Sequence, residues 1–238
     1  MNEIALVTGG AGALGTALVK ALVARGDRVA IFDGTAAKQR ADELAAELGK
    51  DKVVVATGDL ASLETWKNGL AIVKSAFGDV PALAALVAGG WAGGKALSET
   101  TDDSAFTAMM SSNAQTVHNA LISLLPAMVE KKHGSIVAIG SRAVARPWTS
   151  GKAAAYAASK AAAVSLVQVA AEEVLETGVR INAVLPSTMD TRANRNAMPK
   201  ADPTKWVSLE SAAKVCAFLL SDDAKDVSGA AIPLYGRA

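Results

Sequence analysis

Two side chains in this 238-residue sequence stand at a spacing that suits proton transfer: Tyr156 and Lys160, four apart in the run AAAYAASKAAAVSL. Residues at i and i+4 share one face of a helix, so a phenol and an ammonium would lie side by side. A free phenol ionises near pH 10, too high for easy exchange at neutrality, and a nearby ammonium favours the phenolate. Such a pair is a candidate general acid and base, although the spacing alone also fits two residues that merely decorate a helix. A second group addresses different chemistry. Gly10, Gly12 and Gly15 form Gly-x-Gly-x-x-Gly directly after the apolar run Ile4-Ala5-Leu6-Val7 and directly before a helical stretch. Glycines in that context let the backbone turn sharply and approach a pyrophosphate, whose charge the amides at the helix start stabilise. The next apolar run ends at Asp33, about 20 residues on, where a carboxylate accepts hydrogen bonds from ribose hydroxyls and repels a 2′-phosphate. NAD is therefore favoured over NADP. Asp33 equally suits a helix cap, and Lys38 and Arg40 stand within reach of a phosphate, so NADP stays open.

These groups need elements to position them. Candidate strands are Ile4 to Val7, Arg28 to Phe32, Lys52 to Ala56, Ala82 to Val87, Ser135 to Ile139, Val179 to Val184 and Ala231 to Leu234. Their continuous apolar character suits strands covered on both faces. Between them lie helical stretches at Ala13 to Arg25, Ala36 to Leu48, Leu63 to Ala76, Asp102 to Glu130, Tyr156 to Thr177 and Leu209 to Leu220. The alternation predicts an α/β fold: a doubly wound parallel sheet of about seven strands with helices on both faces, a Rossmann fold whose ligands sit at the carboxyl ends of the strands. No repeat or linker marks a second domain, so residues 1–238 read as one NAD(P)-binding domain. The proline-rich stretch over 187–207 interrupts the rhythm and reads as a substrate lid.

Composition narrows the function classes. Lys plus Arg number 24 against 23 Asp plus Glu, a formal charge of +1 that offers no general attraction to nucleic acid or acidic membranes. The single cysteine, Cys216, excludes an internal disulfide. The start MNEIALVTGG lacks the zones of a signal peptide, and no apolar run reaches the length that spans a bilayer, so a reducing, cytoplasmic setting is expected. His118 and His133 are the only histidines and fall in no ligand-spaced cluster, which disfavours a metal enzyme.

The sequence resembles the short-chain dehydrogenase/reductase family over essentially its whole length. The resemblance rests on Thr8-Gly9 through Gly15, Asp59-Leu60, Ala88-Gly89, Asn113, Ser141, the Tyr156-x-x-x-Lys160 pair and Pro186 to Thr191. It implies that Tyr156 gives its proton to a carbonyl oxygen, or takes one from an alcohol, as hydride passes between nicotinamide and carbon. It also implies that Lys160 holds the nicotinamide ribose, that Ser141 bonds the substrate oxygen and that Asn113 anchors a water linking Lys160 to solvent. Cofactor contacts implied in the same way are Gly9, Gly12, Ala13, Leu14, Gly15, Asp33, Asp59, Leu60, Ala88, Gly89, Tyr156, Lys160, Pro186, Met189 and Thr191. The sequence departs from the family pattern at Ala13, which replaces the usual middle glycine, at Leu86-Val87 before Ala88-Gly89, and at Ser187 after Pro186. Ser141 also lies two residues farther from Tyr156 than is typical, placing an insertion around Arg146 to Lys152. Family members often assemble through such alanine-rich helices, so a homodimer or homotetramer is expected.

Two segments, Val87 to Gly94 and Ala183 to Trp206, look like dihydropteridine reductase, an NADH-dependent branch in which a tryptophan after Ala-Gly-Gly is associated with pterin binding. Retention of Asn113 and Ser141 instead suits ordinary carbonyls or alcohols, with pterin reduction as the alternative. A non-catalytic dinucleotide sensor would share the fold but have little need of Asn113, Tyr156 and Lys160 together. Independently of the family, Trp66 falls in a helix and reads as core, whereas Trp91, Trp148 and Trp206 fall in loops after three different strands. With Ser187 they are candidate substrate contacts, aromatic walls for a flat ring; the same tryptophans would equally serve to roof the domain or fill an oligomer contact.

Overall fold

The computed structural model describes residues 3–237. The strands are β1 (Ile4–Thr8), β2 (Arg28–Asp33), β3 (Val53–Thr57), β4 (Leu83–Leu86), β5 (Gly134–Ile139), β6 (Val179–Pro186) and β7 (Ala231–Leu234). All pair in parallel, in the order β3-β2-β1-β4-β5-β6-β7, within one sheet and a single domain. The chain runs outward from β1 to β3 and then returns to β4 on the other side of β1. That reversal opens a crevice at the carboxyl ends of the strands, where ligands of such sheets bind.

Period-two side-chain alternation makes each strand serve two cores. In β1, Ile4 and Leu6 face α3 (Leu63–Phe77), α5 (Thr116–Lys131) and α7 (Ala154–Glu173), packing with Trp66, Leu121 and Val167. Ala5 and Val7 face α1 (Ala13–Arg25), α2 (Lys38–Leu48) and α9 (Leu209–Leu219), packing with Leu18, Leu44 and Leu219. A one-residue slip would exchange the two sets, so burial on both faces specifies the register. Trp66 is core, as its helical setting predicted. Its ring lies 5.4 Å from that of Phe32, and its indole N–H donates to the Leu60 carbonyl at 2.9 Å, so its one polar atom is satisfied.

The structure differs from the sequence expectations at several joints. The helix expected over Asp102 to Glu130 is α4 (Ser104–Met109), a π-helical turn at Met110–Gln115, and α5. The widened turn contains Asn113 and marks a site where helix regularity yields to a side-chain requirement. Residues Thr35–Ala37 form a separate 3₁₀ turn before α2. The segment after Ser141 folds as α6 (Arg142–Ala145), and the expected insertion around Arg146 to Lys152 follows it with a 3₁₀ turn at Pro147–Thr149. The 187–207 stretch is ordered, with α8 (Arg192–Ala197), a 3₁₀ turn at Pro203–Lys205 and a parallel bridge from Met189 to Val207. By length and composition alone, α7 is long and apolar enough to cross a membrane, contrary to the expectation that no run is. Here it is a core helix, burying Ser159, Lys160, Val164 and Val167 against the sheet.

Candidate active site

At the first turn, α1 begins with Gly12 as its cap and no side chain bonded to its exposed amides. Those amides carry the positive end of the helix and suit a phosphate. Gly15 is required by packing, because a Cβ there would collide with the Gly9 carbonyl oxygen. Ala13 and Leu14 complete the first turn of α1, Leu14 buried and Ala13 exposed. Asp33, at the end of β2, accepts hydrogen bonds from Ala11 N (3.0 Å) and Gly34 N (2.8 Å). It therefore braces the glycine turn, and the cap of α2 is Ala37, which disposes of the alternative that Asp33 caps that helix. Each Asp33 oxygen has accepting capacity left for a ribose hydroxyl. Lys38 is paired with Asp42 at 2.7 Å. These features fit a dinucleotide.

Beyond β3, Asp59 accepts from Ala61 N at 3.0 Å, and the Leu60 carbonyl is held by Trp66 and, at 3.4 Å, by the Asn119 amide. Beyond β4, Ala88 N donates to the Thr8 hydroxyl at 3.0 Å. Gly89 lies directly against the Asn113 amide and the Lys160 amine, with no room for a side chain. Asn113 is buried. Its Oδ1 accepts from Gly90 N (2.9 Å), and its Nδ2 donates to Gly90 O (3.1 Å) and to the Ser159 hydroxyl (3.0 Å). These bonds tie the loop after β4 to α7, and Asn113 Oδ1 keeps accepting capacity beyond Gly90 N. Ser159 in turn donates to the Tyr156 carbonyl at 2.8 Å. Its signal in the sequence was its place one turn after Tyr156, a helix position that by itself names no partner in the π-helical turn.

The loop after β5 delivers Ser141, which caps α6 by accepting from Ala143 N at 3.2 Å and lines the same cleft as Tyr156. The two-residue insertion does not displace it. Gly140 N is fixed to Val184 O at 2.8 Å, so the extra length is taken up downstream, in the 3₁₀ turn. Burial raises the Tyr156 pKa, and the Ser141 side chain opposes that rise. Lys160 does not do so in the way its spacing suggested. Its amine donates to the Ile139 carbonyl at 2.8 Å, and full burial lowers its pKa to about 8. A lysine one turn after a tyrosine shares its helix face, but here the amine is bonded to the carbonyl at the end of β5.

Tyr156, Lys160 and Ser141 open on a cleft of about 620 Å³, together with Gly89, Trp91, Pro186, Ser187 and Met189. Arg142, Asn194 and Met198 also line it; the sequence reading assigned none of them to the site, although Asn194 and Met198 fall in the segment that looks like dihydropteridine reductase. Their membership depends on α6 and α8, two short helices with no apolar period to announce them. Asn113 and Ala88 lie outside this lining, as does Thr191, which caps α8 by accepting from Asn194 N at 3.1 Å. Of the loop tryptophans only Trp91 lines the cleft. Trp148 is 77% exposed, and Trp206 sits at the base of the 187–207 segment; neither is brought to the cleft.

Residues 3–202 match the family model described as short chain dehydrogenase. The chain belongs to that family. Its members' dehydrogenase and reductase names identify it as an oxidoreductase acting on CH–OH or C=O groups with a nicotinamide cofactor. It is 29% identical over 246 residues to a 2,5-dichloro-2,5-cyclohexadiene-1,4-diol dehydrogenase of Sphingobium indicum, covering 99% of this chain and 95% of that protein. It is 37% identical over 193 residues to a cis-2,3-dihydrobiphenyl-2,3-diol dehydrogenase of a Pseudomonas species, covering 80% and 67%. A solved levodione reductase superposes with a TM-score of 0.87 at 26% identity, covering 98% of this chain and 96% of that one.

Proposed function

We propose that this short-chain dehydrogenase interconverts a ring-borne alcohol and its carbonyl, preferring NAD, with Tyr156 as general acid and base. The observation that carries the reading is that Tyr156, Ser141 and buried Lys160 line one cleft together. When bound, the nicotinamide supplies or accepts the hydride. Tyr156 gives its phenolic proton to the carbonyl oxygen as the alcohol forms, and takes the alcohol proton in the reverse direction. Ser141 bonds the same oxygen and orients the phenol. Lys160, with its pKa near 8, holds the ribose hydroxyls and, once drawn toward them, biases Tyr156 toward the phenolate. The residues assigned to the cofactor run from Gly9, Gly12 and Gly15 through Asp33, Asp59-Leu60 and Ala88-Gly89 to Pro186, Met189 and Thr191. Support for NAD comes from the Asp33 carboxylate at the turn. Trp91, Met189 and Met198 give the cleft an apolar wall, and relatives named for cyclic diols agree with a ring. Exposed Phe106, Ile122 and Val169 on α4, α5 and α7 support a homo-oligomer, and a lone buried thiol suits the cytoplasm.

The test follows NADH absorbance with cyclic diols, aromatic ketones, a β-ketoacyl thioester and quinonoid dihydropteridine, using Tyr156→Phe as control. Turnover of ring alcohols or ketones, lost in Tyr156→Phe with NADH binding retained, supports the proposal. Turnover of the pterin alone, which Trp91 in the cleft would serve, moves the enzyme to the dihydropteridine reductase reading. No turnover of any class, with NADH still bound, points to a sensor.

A further inference from the structure

The substrate side of the cleft is built by two segments far apart in sequence, 142–152, which holds the insertion, and 187–207, and both meet at residues 234–237. The Arg146 guanidinium lies over the Tyr235 ring, 5.1 Å from its centroid. The Tyr235 carbonyl accepts from the Ser187 hydroxyl at 2.6 Å, and Ser187 N donates to Leu234 O at 3.0 Å. Arg237 N donates to Lys205 O at 2.9 Å, which ties down the other end of the same segment. Between those ends, Val207 N donates to Thr188 O (2.9 Å) and Asp190 N to Val207 O (2.8 Å), closing the base of the 187–207 segment on itself. Ser187, Thr188 and Met189 line the cleft, as do Arg142 and Ala143, just upstream of Arg146.

We infer that Arg146 and Tyr235 are a positioning pair: the C-terminal residues Tyr235 to Arg237 staple both ends of the 187–207 segment, and the stack on Arg146 makes that segment and the insertion one wall. Neither residue lines the cleft, so neither touches substrate. They act through Ser187 and its neighbours, setting how far the substrate side opens. The two-residue insertion then has a use, because it supplies the arginine that reaches Tyr235. This assignment of a substrate wall rests on the reading of the cleft as the catalytic site; the mechanical coupling does not.

Amide hydrogen exchange tests the coupling directly. Tyr235 is half-buried against the core, and a cation over such a ring is worth at least about two- to fivefold in a local opening equilibrium. Arg146→Met keeps most of the apolar stem and removes the charge. It should speed exchange at Ser187, Asp190, Val207 and Arg237 by that factor, although none of these amides touches Arg146, and leave β1 and β5 at wild-type rates. Tyr235→Phe keeps the ring and should behave as wild type. Tyr235→Leu should match Arg146→Met, and combining the two should add nothing further. Wild-type exchange at those four amides in Arg146→Met, or effects of the two variants that multiply, overturns the coupling. If Tyr235→Leu does not fold, the Arg146→Met arm decides alone. In kinetics, Arg146→Met should raise KM for a ring ketone severalfold with little change in kcat and none in the affinity for ADP, which probes only the adenine end. Altered exchange with unchanged KM overturns the assignment of the pair to the substrate wall. Altered exchange in an enzyme that turns over no carbonyl keeps the coupling and refutes the proposed function instead.

Discussion

Replacing Lys160 with methionine should change how the stability of the cofactor-free protein depends on pH, in a direction opposite to the usual lysine. Lys160 is fully buried with its amine on the Ile139 carbonyl, and its pKa falls from 10.5 to about 8. The unfolded chain therefore binds more protons than the native state between those values, and stability rises with pH across that window. Below pH 8 the cost of burying the charge is present almost in full, about 3 kcal/mol for a pKa lowered from 10.5 to about 8. By pH 9.5 much of it has gone, so wild type should gain about 2 kcal/mol on Lys160→Met between pH 7 and 9.5. Urea unfolding of both proteins at several pH values measures this. Cys216 works the other way. Burial pushes its thiol up to about 12, so the unfolded chain loses that proton first and stability falls above the ordinary thiol range. The thiol is common to both proteins, so its effect cancels in the difference between them. The orphaned Ile139 carbonyl in the variant adds a constant offset that does not depend on pH. Parallel pH profiles would refute the argument, since they would mean that Lys160 is as charged and as hydrated in the native state as in the unfolded chain.

Three other outcomes follow from the same coordinates. Gly15→Ala forces a Cβ onto the Gly9 carbonyl oxygen; overpacking of this kind costs roughly 1–3 kcal/mol, and NADH binding measured by fluorescence titration should weaken at least about tenfold as the turn shifts. Asp33→Asn removes the charge that repels a 2′-phosphate, so the ratio of kcat/KM for NADPH to that for NADH should rise about tenfold or more, and an unchanged ratio would remove Asp33 from the cofactor site. Cys216 should react with a thiol reagent in the folded protein no faster than the protein opens, with little acceleration from pH 7 to 9, because its thiol is buried and held protonated.

The arrangement of strands and helices was legible because burial on both faces makes each strand a continuous apolar run, and because glycines punctuate the first turn. Ile4 to Val7 and Gly10 to Gly15 carry both signals within a dozen residues. The π-helical turn around Asn113 was not legible, since the residue it bonds, Gly90, is distant in sequence. Nor was the cleft's full lining. Arg142 and Asn194 sit on helices of four and six residues, too short to show a period. The three loop tryptophans looked alike in sequence, yet one lines the cleft and two do not, because the side-chain direction of a loop residue depends on what its neighbours pack against.

By itself the sequence determined the fold class, the family, the place of the glycine turn and the residue types available for proton transfer, all of which are properties of local spacing and burial period. Only the tertiary structure decided that Ser141 and Tyr156 line one cleft despite the insertion, that the Lys160 amine rests on Ile139 with a pKa near 8, and that Asn113 bonds the main chain of Gly90. Each of these depends on desolvation and on partners contributed by other strands, and neither quantity is encoded in the spacing of residues along one helix.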